Sequence, residues 1–330
     1  MVKWAALVLA GGQSSRFQSE GQTWVNKALA EIDGKPLLAH VVAVLMEIVS
    51  EVAICVNNTE RKDVYSQALM EHGVENAKFV LDQDSPVHGP LLAITSGMHA
   101  VSAEYCLTVP TDMPFLNPEV ARYLLSAAEG YDVTVPMWPD GTLETLLMTL
   151  KCQTAVKIAD TMLLAEKANA DVIARGAGKL LLPSPMQQIK SLDPELKSFV
   201  NINSPQDLKH PNTRSTEGEI RENLSFDSGK MDFSALDSLK QGLKLLGEGK
   251  SVEAQGIFSK CTEFFDGQGQ LFWAGLAAEK LAQSTFNSRE AFLSAAKKYQ
   301  AEAEHYRTAG CRVLAQRADA DAAWCQKQAV

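Results

Sequence analysis

Two adjacent glycines near the N-terminus follow an apolar run, residues 5–9, that predicts a buried strand. Gly11 and Gly12 let the backbone turn sharply and approach a ligand, because neither residue has a Cβ atom in the way. Their exposed N–H groups could bind a triphosphate, and Arg16 adds a charge that a phosphate can share through paired hydrogen bonds. Lys27 follows as a second cation. An ordinary strand-to-helix turn is the alternative interpretation of these glycines.

An aspartate between two prolines is the second candidate for chemistry. Asp112 lies at the end of a predicted strand, where the flanking prolines stiffen the backbone. Mg²⁺ takes oxygen ligands, usually one or two carboxylates together with phosphate oxygens and water, so Asp112 is the predicted magnesium ligand. Asp82, which also follows a predicted strand, could supply a second carboxylate. Both residues could instead be ordinary turn residues, with Asp112 capping a helix that begins near Pro118.

The sequence His-Gly-Pro-Leu at residues 88–91 predicts a tight turn into a helix, with proline near the first helical position. Its backbone groups could frame a nucleobase, whereas His88 itself is interpreted as a loop residue. The sequence has no Ser/His/Asp arrangement, no C-x-x-C pair and no G-x-G-x-x-G fingerprint. Nucleotide binding through the N-terminal glycines is therefore the chemistry that the residues favour.

Strand-like runs alternate with helical patterns over residues 1–208, which predicts an α/β fold with a doubly wound, mostly parallel sheet. The predicted strands are residues 5–9, 52–56, 78–81, 105–109 and 132–136, and the predicted helices are residues 35–49, 61–72, 91–101 and 118–128. Ligands bind outside the carboxyl ends of such strands. Gly11, Gly12, Asn57, Asp82 and Asp112 each follow a strand, so we expect them to converge on one edge of the sheet.

A change of composition divides the chain after residue 208. Residues 209–232 are polar and predict a linker, and residues 233–330 predict an all-α domain. The predicted helices are residues 233–246, 252–264, 270–282, 288–308 and 311–327. Gly242, Ala254 and Phe258 have the spacing of a tetratricopeptide repeat, and a generic helical bundle is the alternative.

Composition and charge limit the class of protein. A chain of 330 residues suggests about two domains, and a net charge of −9 argues against a general nucleic-acid or anionic-membrane binder. No apolar run is long enough to span a bilayer, and the first residues resemble a strand rather than a signal peptide. The six scattered cysteines predict reduced, mostly buried thiols. We therefore expect a cytoplasmic protein.

Several motifs occur together and in a fixed order over the first 208 residues. They are Leu9-Ala10-Gly11-Gly12, Ser15-Arg16-Phe17, Lys27, Gly34-Lys35-Pro36-Leu37, Val56-Asn57, Asp82, Gly89-Pro90-Leu91, residues 110–114 (Pro-Thr-Asp-Met-Pro) and residues 199–205 (Phe-Val-Asn-Ile-Asn-Ser-Pro). This set resembles the MobA-like nucleotidyltransferase family, and within it the guanylyltransferases that act on the molybdenum cofactor. The resemblance implies a Rossmann-like nucleotidyltransferase fold, and the helical domain is an addition to it.

The resemblance also implies roles for individual residues. Arg16, Lys27 and Asp112 are the implied catalytic residues, with Lys27 on the phosphates and Asp112 on Mg²⁺. Asn201 and Asn203 are implied to lie on the acceptor side of the site. The implied nucleotide-binding residues are Leu9, Ala10, Gly11, Gly12, Lys27, Asn57, Asp82, Gly89, Pro90, Leu91 and Asp112.

The implied activity is Mg²⁺-dependent transfer of GMP from GTP to the phosphate of a molybdopterin acceptor. The Gly-Gly turn favours guanine, because cytidylyl relatives more often carry Ala-Gly at this point. A different phosphate acceptor or CTP is one alternative. A nucleotide-binding scaffold that docks a molybdoenzyme through its helical domain is another, and that domain could equally serve self-association.

Overall fold

The computed structural model describes residues 4–12, 26–208, 214–285 and 289–329. The strands are β1 (Trp4–Leu9), β2 (Glu31–Ile32), β3 (Lys35–Pro36), β4 (Glu51–Val56), β5 (Lys78–Leu81), β6 (Tyr105–Pro110), β7 (Val133–Thr134), β8 (Thr149–Lys151), β9 (Lys179–Leu182) and β10 (Leu224–Asp227). The α-helices are α1 (Leu37–Met46), α2 (Thr59–Glu71), α3 (Pro90–Ala100), α4 (Pro118–Ala127), α5 (Cys152–Leu164), α6 (Asp171–Arg175), α7 (Lys190–Leu192), α8 (Phe233–Gly247), α9 (Ser251–Gly267), α10 (Leu271–Ser284), α11 (Arg289–Thr308) and α12 (Arg312–Gln328).

An eight-stranded mixed sheet, in the order β10-β9-β7-β8-β6-β1-β4-β5, carries the site. Strands β6, β1, β4 and β5 are neighbours and all run parallel. Strand β8 is antiparallel to both β6 and β7, and β10 is antiparallel to β9. The predicted doubly wound, mostly parallel sheet is confirmed. The chain reverses direction across the sheet between β1 and β6, which is where open α/β sheets bind their ligands.

Strand β1 shows why the N-terminal apolar run folds as it does. Alternate side chains of a strand point to opposite faces of the sheet. Ala5 and Leu7 belong to one hydrophobic cluster, and Ala6 and Val8 belong to a second cluster on the other face. A central parallel strand that is buried on both faces therefore needs an uninterrupted apolar sequence, and this strand has one.

The predicted elements of the parallel half are largely confirmed, with shifts at their ends. The helix predicted from residue 35 begins at Leu37, because Lys35 and Pro36 pair with β2. The strand predicted over residues 132–136 is restricted to Val133–Thr134. No elements were predicted at β8, α5, α6 and β9. The two strands among them belong to the half of the sheet that contains its antiparallel pairs.

The helical region, α8 to α12, matches the predicted helices closely, and each of these helices packs against the next one. Gly242 provides a close approach between α8 and α9, since a Cβ at this position would lie 2.7 Å from the Phe258 ring. A true tetratricopeptide repeat stays a prediction. No helix among the described residues has the length and apolarity needed to cross a membrane. All six cysteines are buried and none forms a disulfide.

The segment predicted as a linker, residues 209–232, contains strand β10, which extends the sheet. Leu224 and Phe226 alternate with Ser225 and Asp227 and pack against the larger hydrophobic cluster. The polar composition of the segment led to the prediction of a linker instead of a strand. The strand forms because the edge of β9 offers unpaired backbone groups. The division of the chain into residues 1–208, 209–232 and 233–330 stays a prediction.

The helical region packs directly on the sheet-containing region. Helix α8 contacts α5, and Trp273 of α10 donates a hydrogen bond to the Gly176 carbonyl at 2.9 Å. One hydrophobic cluster includes residues of both regions, among them Ile158, Leu180, Leu236 and Trp273. The two regions therefore share a core.

Candidate functional site

A cleft of about 810 Å³ lies at the carboxyl ends of the parallel strands. Four strands contribute to it at the points where they end: β1 through Gly11 and Gly12, β4 through Asn57, β5 through Asp82 and β6 through Asp112. The described residues that line it are Leu9, Ala10, Gly11, Gly12, Asn26, Lys27, Ala28, Asn57, Tyr65, Asp82, His88, Gly89, Pro90, Ala93, Pro110, Thr111, Asp112, Leu146 and Asn203.

Helix α2 holds the glycine turn in place. Arg61 donates a hydrogen bond from Nη1 to the Gly12 carbonyl at 2.6 Å. Tyr65, one turn later on the same face of the helix, donates from its hydroxyl to Asn26 Oδ1 at 2.9 Å and lies 3.4 Å from the Ala10 carbonyl. Burial raises the pKa of Tyr65, with the Asn26 hydrogen bond and Arg61 acting in the opposite direction, so the hydroxyl stays protonated and donates.

Three polar side chains from distant parts of the sequence meet in the cleft. Lys27 donates from Nζ to Asp112 Oδ2 at 2.8 Å and to Asn203 Oδ1 at 2.9 Å. The ion pair is largely sheltered, because the Lys27 and Asp112 side chains are only 15% and 21% exposed. A cation, a carboxylate and an amide are therefore held together beside the glycine turn.

The segment that carries Asn203 is fixed by two sets of backbone contacts. Ile202 N–H donates to the Asp112 carbonyl at 2.9 Å, which joins this segment to the end of β6. The Asp207 side chain accepts hydrogen bonds from the N–H groups of Asn203 and Ser204, each at 2.8 Å. The Asn203 backbone is thus anchored independently of its side-chain contact with Lys27.

Two carboxylates in the cleft have an oxygen that no described residue satisfies. Asp82 Oδ1 and Asp112 Oδ1 are both buried, and neither has a hydrogen-bond partner among the described residues. Burial raises the pKa of Asp82, and the nearby His88 opposes this rise. Leaving a buried acceptor unpaired is costly, so each oxygen is suited to a ligand that supplies positive charge.

These two oxygens fit a magnesium ion that also binds phosphate. Mg²⁺ usually takes one or two protein carboxylates and completes its shell with phosphate oxygens and water. No group of three or more His, Cys, Asp or Glu side chains able to hold a metal occurs within the described ranges.

Gly89 and Pro90 form the entrance to α3 on another wall of the cleft. Gly89 has a φ of +146°, and a Cβ at this position would lie 2.9 Å from the Ala168 carbonyl oxygen. Leu91 is buried and donates its backbone N–H to the same oxygen at 3.2 Å. Only glycine therefore fits the first position of this turn.

Leu146 closes the cleft at the end of a loop that begins at Trp138. Thr108 of β6 donates its hydroxyl to the Leu146 carbonyl at 2.9 Å. Glu144 is buried in this loop, and its Oε1 accepts from Trp138 Nε1 and from Arg214 Nε, both at 2.7 Å. Burial raises the pKa of Glu144, although Arg214 opposes the rise.

The family described as the MobA-like NTP transferase domain matches residues 6–179, which is more than half of the chain. The chain belongs to this family. The matched residues include most of β1, all of β2 to β6, and the described cleft residues except Asn203.

Curated relatives carry a more specific name. A probable molybdenum cofactor guanylyltransferase of Methanosarcina mazei is 30% identical over 215 residues, which cover 62% of this chain and 88% of the relative. A protein of the same name from Methanosarcina acetivorans is 29% identical over 206 residues, with the same coverage of both chains. The similarity to these two proteins thus involves nearly their whole length.

A solved structure shows the same fold. The molybdopterin-guanine dinucleotide biosynthesis protein A of Archaeoglobus fulgidus aligns with a TM-score of 0.50 and 24% identity, covering 62% of this chain and 95% of that protein. The present chain therefore has a MobA-like nucleotidyltransferase fold followed by the helical region α8 to α12.

The cleft brings together most of the residues that the sequence singled out. Leu91 and Asn201 do not line it: Leu91 is buried, and Asn201 donates from Nδ2 to the Phe199 carbonyl at 3.3 Å. Arg16 lies outside the described residues. The predicted residues that line the cleft are Leu9, Ala10, Gly11, Gly12, Lys27, Asn57, Asp82, Gly89, Pro90, Asp112 and Asn203.

Sequence reasoning missed several residues that shape the cleft. Asn26 was overlooked although it precedes Lys27, and Tyr65 lines the cleft from the middle of α2. Arg61 and Tyr65 are four residues apart, after a predicted strand and the Asn57-Asn58 pair, and this spacing was the available signal for these two residues. Leu146 had no comparable signal, because its place depends on contacts with β6.

Proposed function

We propose that this protein is a guanylyltransferase that transfers GMP from GTP to the terminal phosphate of a molybdopterin acceptor. The products are a molybdopterin guanine dinucleotide and pyrophosphate. The meeting of Lys27, Asp112 and Asn203 beside the glycine turn carries this proposal, because a phosphate site and an acceptor-side amide then share one cleft. The names of the Methanosarcina relatives support the choice of guanine and of the molybdenum cofactor.

The cleft residues have distinct roles in this proposal. The N–H groups of Gly11 and Gly12 bind the triphosphate, and Lys27 holds its outer phosphates together with Arg16. Asp112, with Asp82 as a second carboxylate, would hold Mg²⁺, and the ion would neutralise negative charge on the phosphates. Without substrate, Lys27 and Asp112 neutralise each other. Substrate binding then exchanges this ion pair for contacts of Lys27 with phosphate.

The reaction is an in-line displacement at the α-phosphorus of GTP. An oxygen of the acceptor phosphate forms the new P–O bond, and the bond to the bridging oxygen of the β-phosphate breaks, so that pyrophosphate leaves. The acceptor phosphate is already ionised near neutral pH and needs no strong general base. Positioning and charge stabilisation therefore supply the catalysis, through Lys27, Arg16 and the fixed Asn203.

The base and the acceptor occupy opposite sides of the cleft in this proposal. The backbone at Gly89 and Pro90 frames the guanine. Asn203 and the loop that ends at Leu146 border the acceptor. We expect the reaction to take place in the cytoplasm, where the six buried cysteines stay reduced.

Product analysis tests the proposal directly. The purified protein is incubated with Mg²⁺, molybdenum-loaded molybdopterin and each of GTP, CTP, ATP and UTP, and the products are identified by mass. We expect a guanine dinucleotide and stoichiometric pyrophosphate with GTP. A cytosine dinucleotide formed in preference to the guanine product would contradict the nucleotide assignment. Turnover only with a sugar phosphate or cobinamide phosphate would contradict the acceptor assignment.

A further inference from the structure

A partly buried lysine connects the helical region to one wall of the cleft. Lys167, in the turn after α5, has its Nζ 3.1 Å from Asp321 Oδ1 of α12 and 3.7 Å from Glu279 Oε2 of α10. Burial lowers the pKa of Lys167, but the two carboxylates outweigh this effect and raise it. The lysine is therefore held as a cation between two helices of the helical region.

The residue next to this lysine contacts the cleft wall. The Ala168 carbonyl accepts the Leu91 N–H at 3.2 Å and lies against Gly89, where no Cβ would fit. Gly89 and Pro90 both line the cleft. The helical region thus reaches the start of α3 through two adjacent residues, Lys167 and Ala168.

A second contact reaches another part of the cleft lining, at Leu146. Gly141, with a φ of +79°, lies against the turn between α11 and α12, where a Cβ would be 2.9 Å from Arg312 N. Val313 N–H donates to the Gly141 carbonyl at 3.3 Å, and Arg312 Nη2 lies 3.3 Å from Asp140 Oδ2. The loop held in this way continues to Leu146, which lines the cleft.

We infer that the helical region positions both walls of the active-site cleft. Lys167 acts as a positioning residue for the nucleotide side, and the turn at Arg312 and Val313 positions the acceptor side. The contacts fix loops that would otherwise be free to shift, and a substrate then meets walls that are already in place. This inference rests on the proposed function, which assigns one wall to the nucleotide and the other to the acceptor. The contacts themselves can be tested without turnover.

The nucleotide side is tested by Lys167→Met. This substitution leaves Asp321 paired with Arg175, and Glu279 paired with Tyr299 and Lys280. Lys280→Met is the matched control. Lys280, like Lys167, contacts Glu279 and is shielded from solvent, but it does not adjoin the cleft wall. We expect Lys167→Met to raise the KM for GTP roughly fivefold, with kcat within about twofold. Lys167→Arg restores the KM, and Lys280→Met leaves it unchanged.

The acceptor side is tested by Gly141→Ala. Gly130→Ala is its matched control, because Gly130 has a similar φ of +88° but no neighbouring atom within 4 Å of an added Cβ. Both variants carry the same left-handed backbone strain, and only the first one collides with the α11–α12 turn. We expect Gly141→Ala to raise the KM for the acceptor roughly fivefold without changing the KM for GTP.

Amide hydrogen exchange separates failure of this inference from failure of the proposed function. Faster exchange at Leu91 in Lys167→Met, but not in Lys280→Met, supports the contact whether or not the protein transfers GMP. Unchanged exchange at Leu91 would overturn the inference. Equal increases in both variants would overturn it too, because they would indicate general destabilisation. A wild-type protein that forms no dinucleotide would refute only the proposed function.

Discussion

At the scale of single residues, Asp112 carries most of the proposed chemistry. Asp112→Asn keeps the shape of the side chain but removes its charge, so Lys27 loses its ion-pair partner and the metal loses a ligand. We expect turnover to fall about 10²- to 10³-fold, which is typical when an oriented group that stabilises charge is removed. Pyrophosphate release at saturating GTP and Mg²⁺ measures the effect.

A neighbouring aspartate provides the control for this substitution. Asp84 is exposed and does not line the cleft, so Asp84→Asn removes one negative charge nearby without touching the site. We expect its turnover to equal that of the wild type. Full pyrophosphate release by a folded Asp112→Asn protein, with an unchanged circular dichroism spectrum, would contradict the assigned role.

Asp82 links the site to stability. Burial raises its pKa above the ordinary value of 3.8. A carboxyl group with a higher pKa in the folded protein binds more protons in that state, so its contribution to stability is lost as pH rises through the folded pKa. Asp82→Asn removes this loss, and we expect the variant to exceed the wild type in free energy of unfolding at pH 7. The difference should shrink as pH falls toward 3.8.

Denaturant unfolding at several pH values tests this prediction. The same variant should bind Mg²⁺-GTP more weakly, because the amide replaces a charged ligand. Stability would then rise where binding is lost, as expected when a charge is kept buried for function. A difference in unfolding free energy that stays constant between pH 4 and pH 8 would exclude Asp82 as its source.

At the scale of elements, α2 works as a support for the glycine turn. Tyr65→Phe removes the hydroxyl that donates to Asn26 and faces the Ala10 carbonyl. We expect a loss of about 1 kcal/mol in free energy of unfolding and a higher KM for GTP, because the turn and Asn26 lose their common anchor. Tyr105→Phe is the control. Its hydroxyl accepts from Gly130 N at 3.2 Å, at the end of β6 away from the cleft.

Suppose that the two tyrosine substitutions lower the free energy of unfolding equally while only Tyr65→Phe changes the KM for GTP. That result would assign the kinetic effect to the glycine turn. An unchanged KM in Tyr65→Phe would show instead that the turn keeps its shape without α2. Contacts such as those from Arg61 to the Gly12 and Ala10 carbonyls would then be sufficient.

The sequence predicts those parts of the site that follow from strand order. Gly11, Asn57, Asp82 and Asp112 each follow a parallel strand, and parallel strands end at one edge of the sheet. Leu146 could not be predicted in this way, because it reaches the cleft through a loop fixed by distant packing. Strand β10 was missed for a related reason, since it forms only where the edge of β9 is available to pair with it.

At the scale of the whole molecule, a buried ion network joins the two regions. Arg175 of α6 pairs through Nε and Nη2 with both oxygens of Glu302 at 2.7 and 2.8 Å, and through Nη1 with Asp321 at 2.7 Å. Its side chain is only 3% exposed and its guanidinium lies 4.6 Å from the centre of the Phe272 ring. These ion pairs could not be predicted from the sequence, because their members are more than a hundred residues apart.

Removing the central cation should destabilise the protein as one unit. Arg175→Met leaves Glu302 buried without its partner, and breaking a buried pair in this way costs about 3–5 kcal/mol. Because one hydrophobic cluster spans both regions, we expect tryptophan fluorescence and far-ultraviolet circular dichroism to report a single coincident unfolding transition. Two separate transitions would mean that residues 233–330 unfold independently of the sheet.

A double variant distinguishes loss of an attractive pair from the cost of a stranded charge. Arg175→Met combined with Glu302→Leu removes both charges, while Asp321 keeps its contact with Lys167. If the cost arises from the stranded carboxylate, the double variant recovers much of the stability that Arg175→Met alone loses. If the double variant instead loses as much stability as Arg175→Met alone, the attraction between the two charges accounts for the cost. The pair then contributes to holding the regions together, and so to fixing the cleft walls that the helical region contacts.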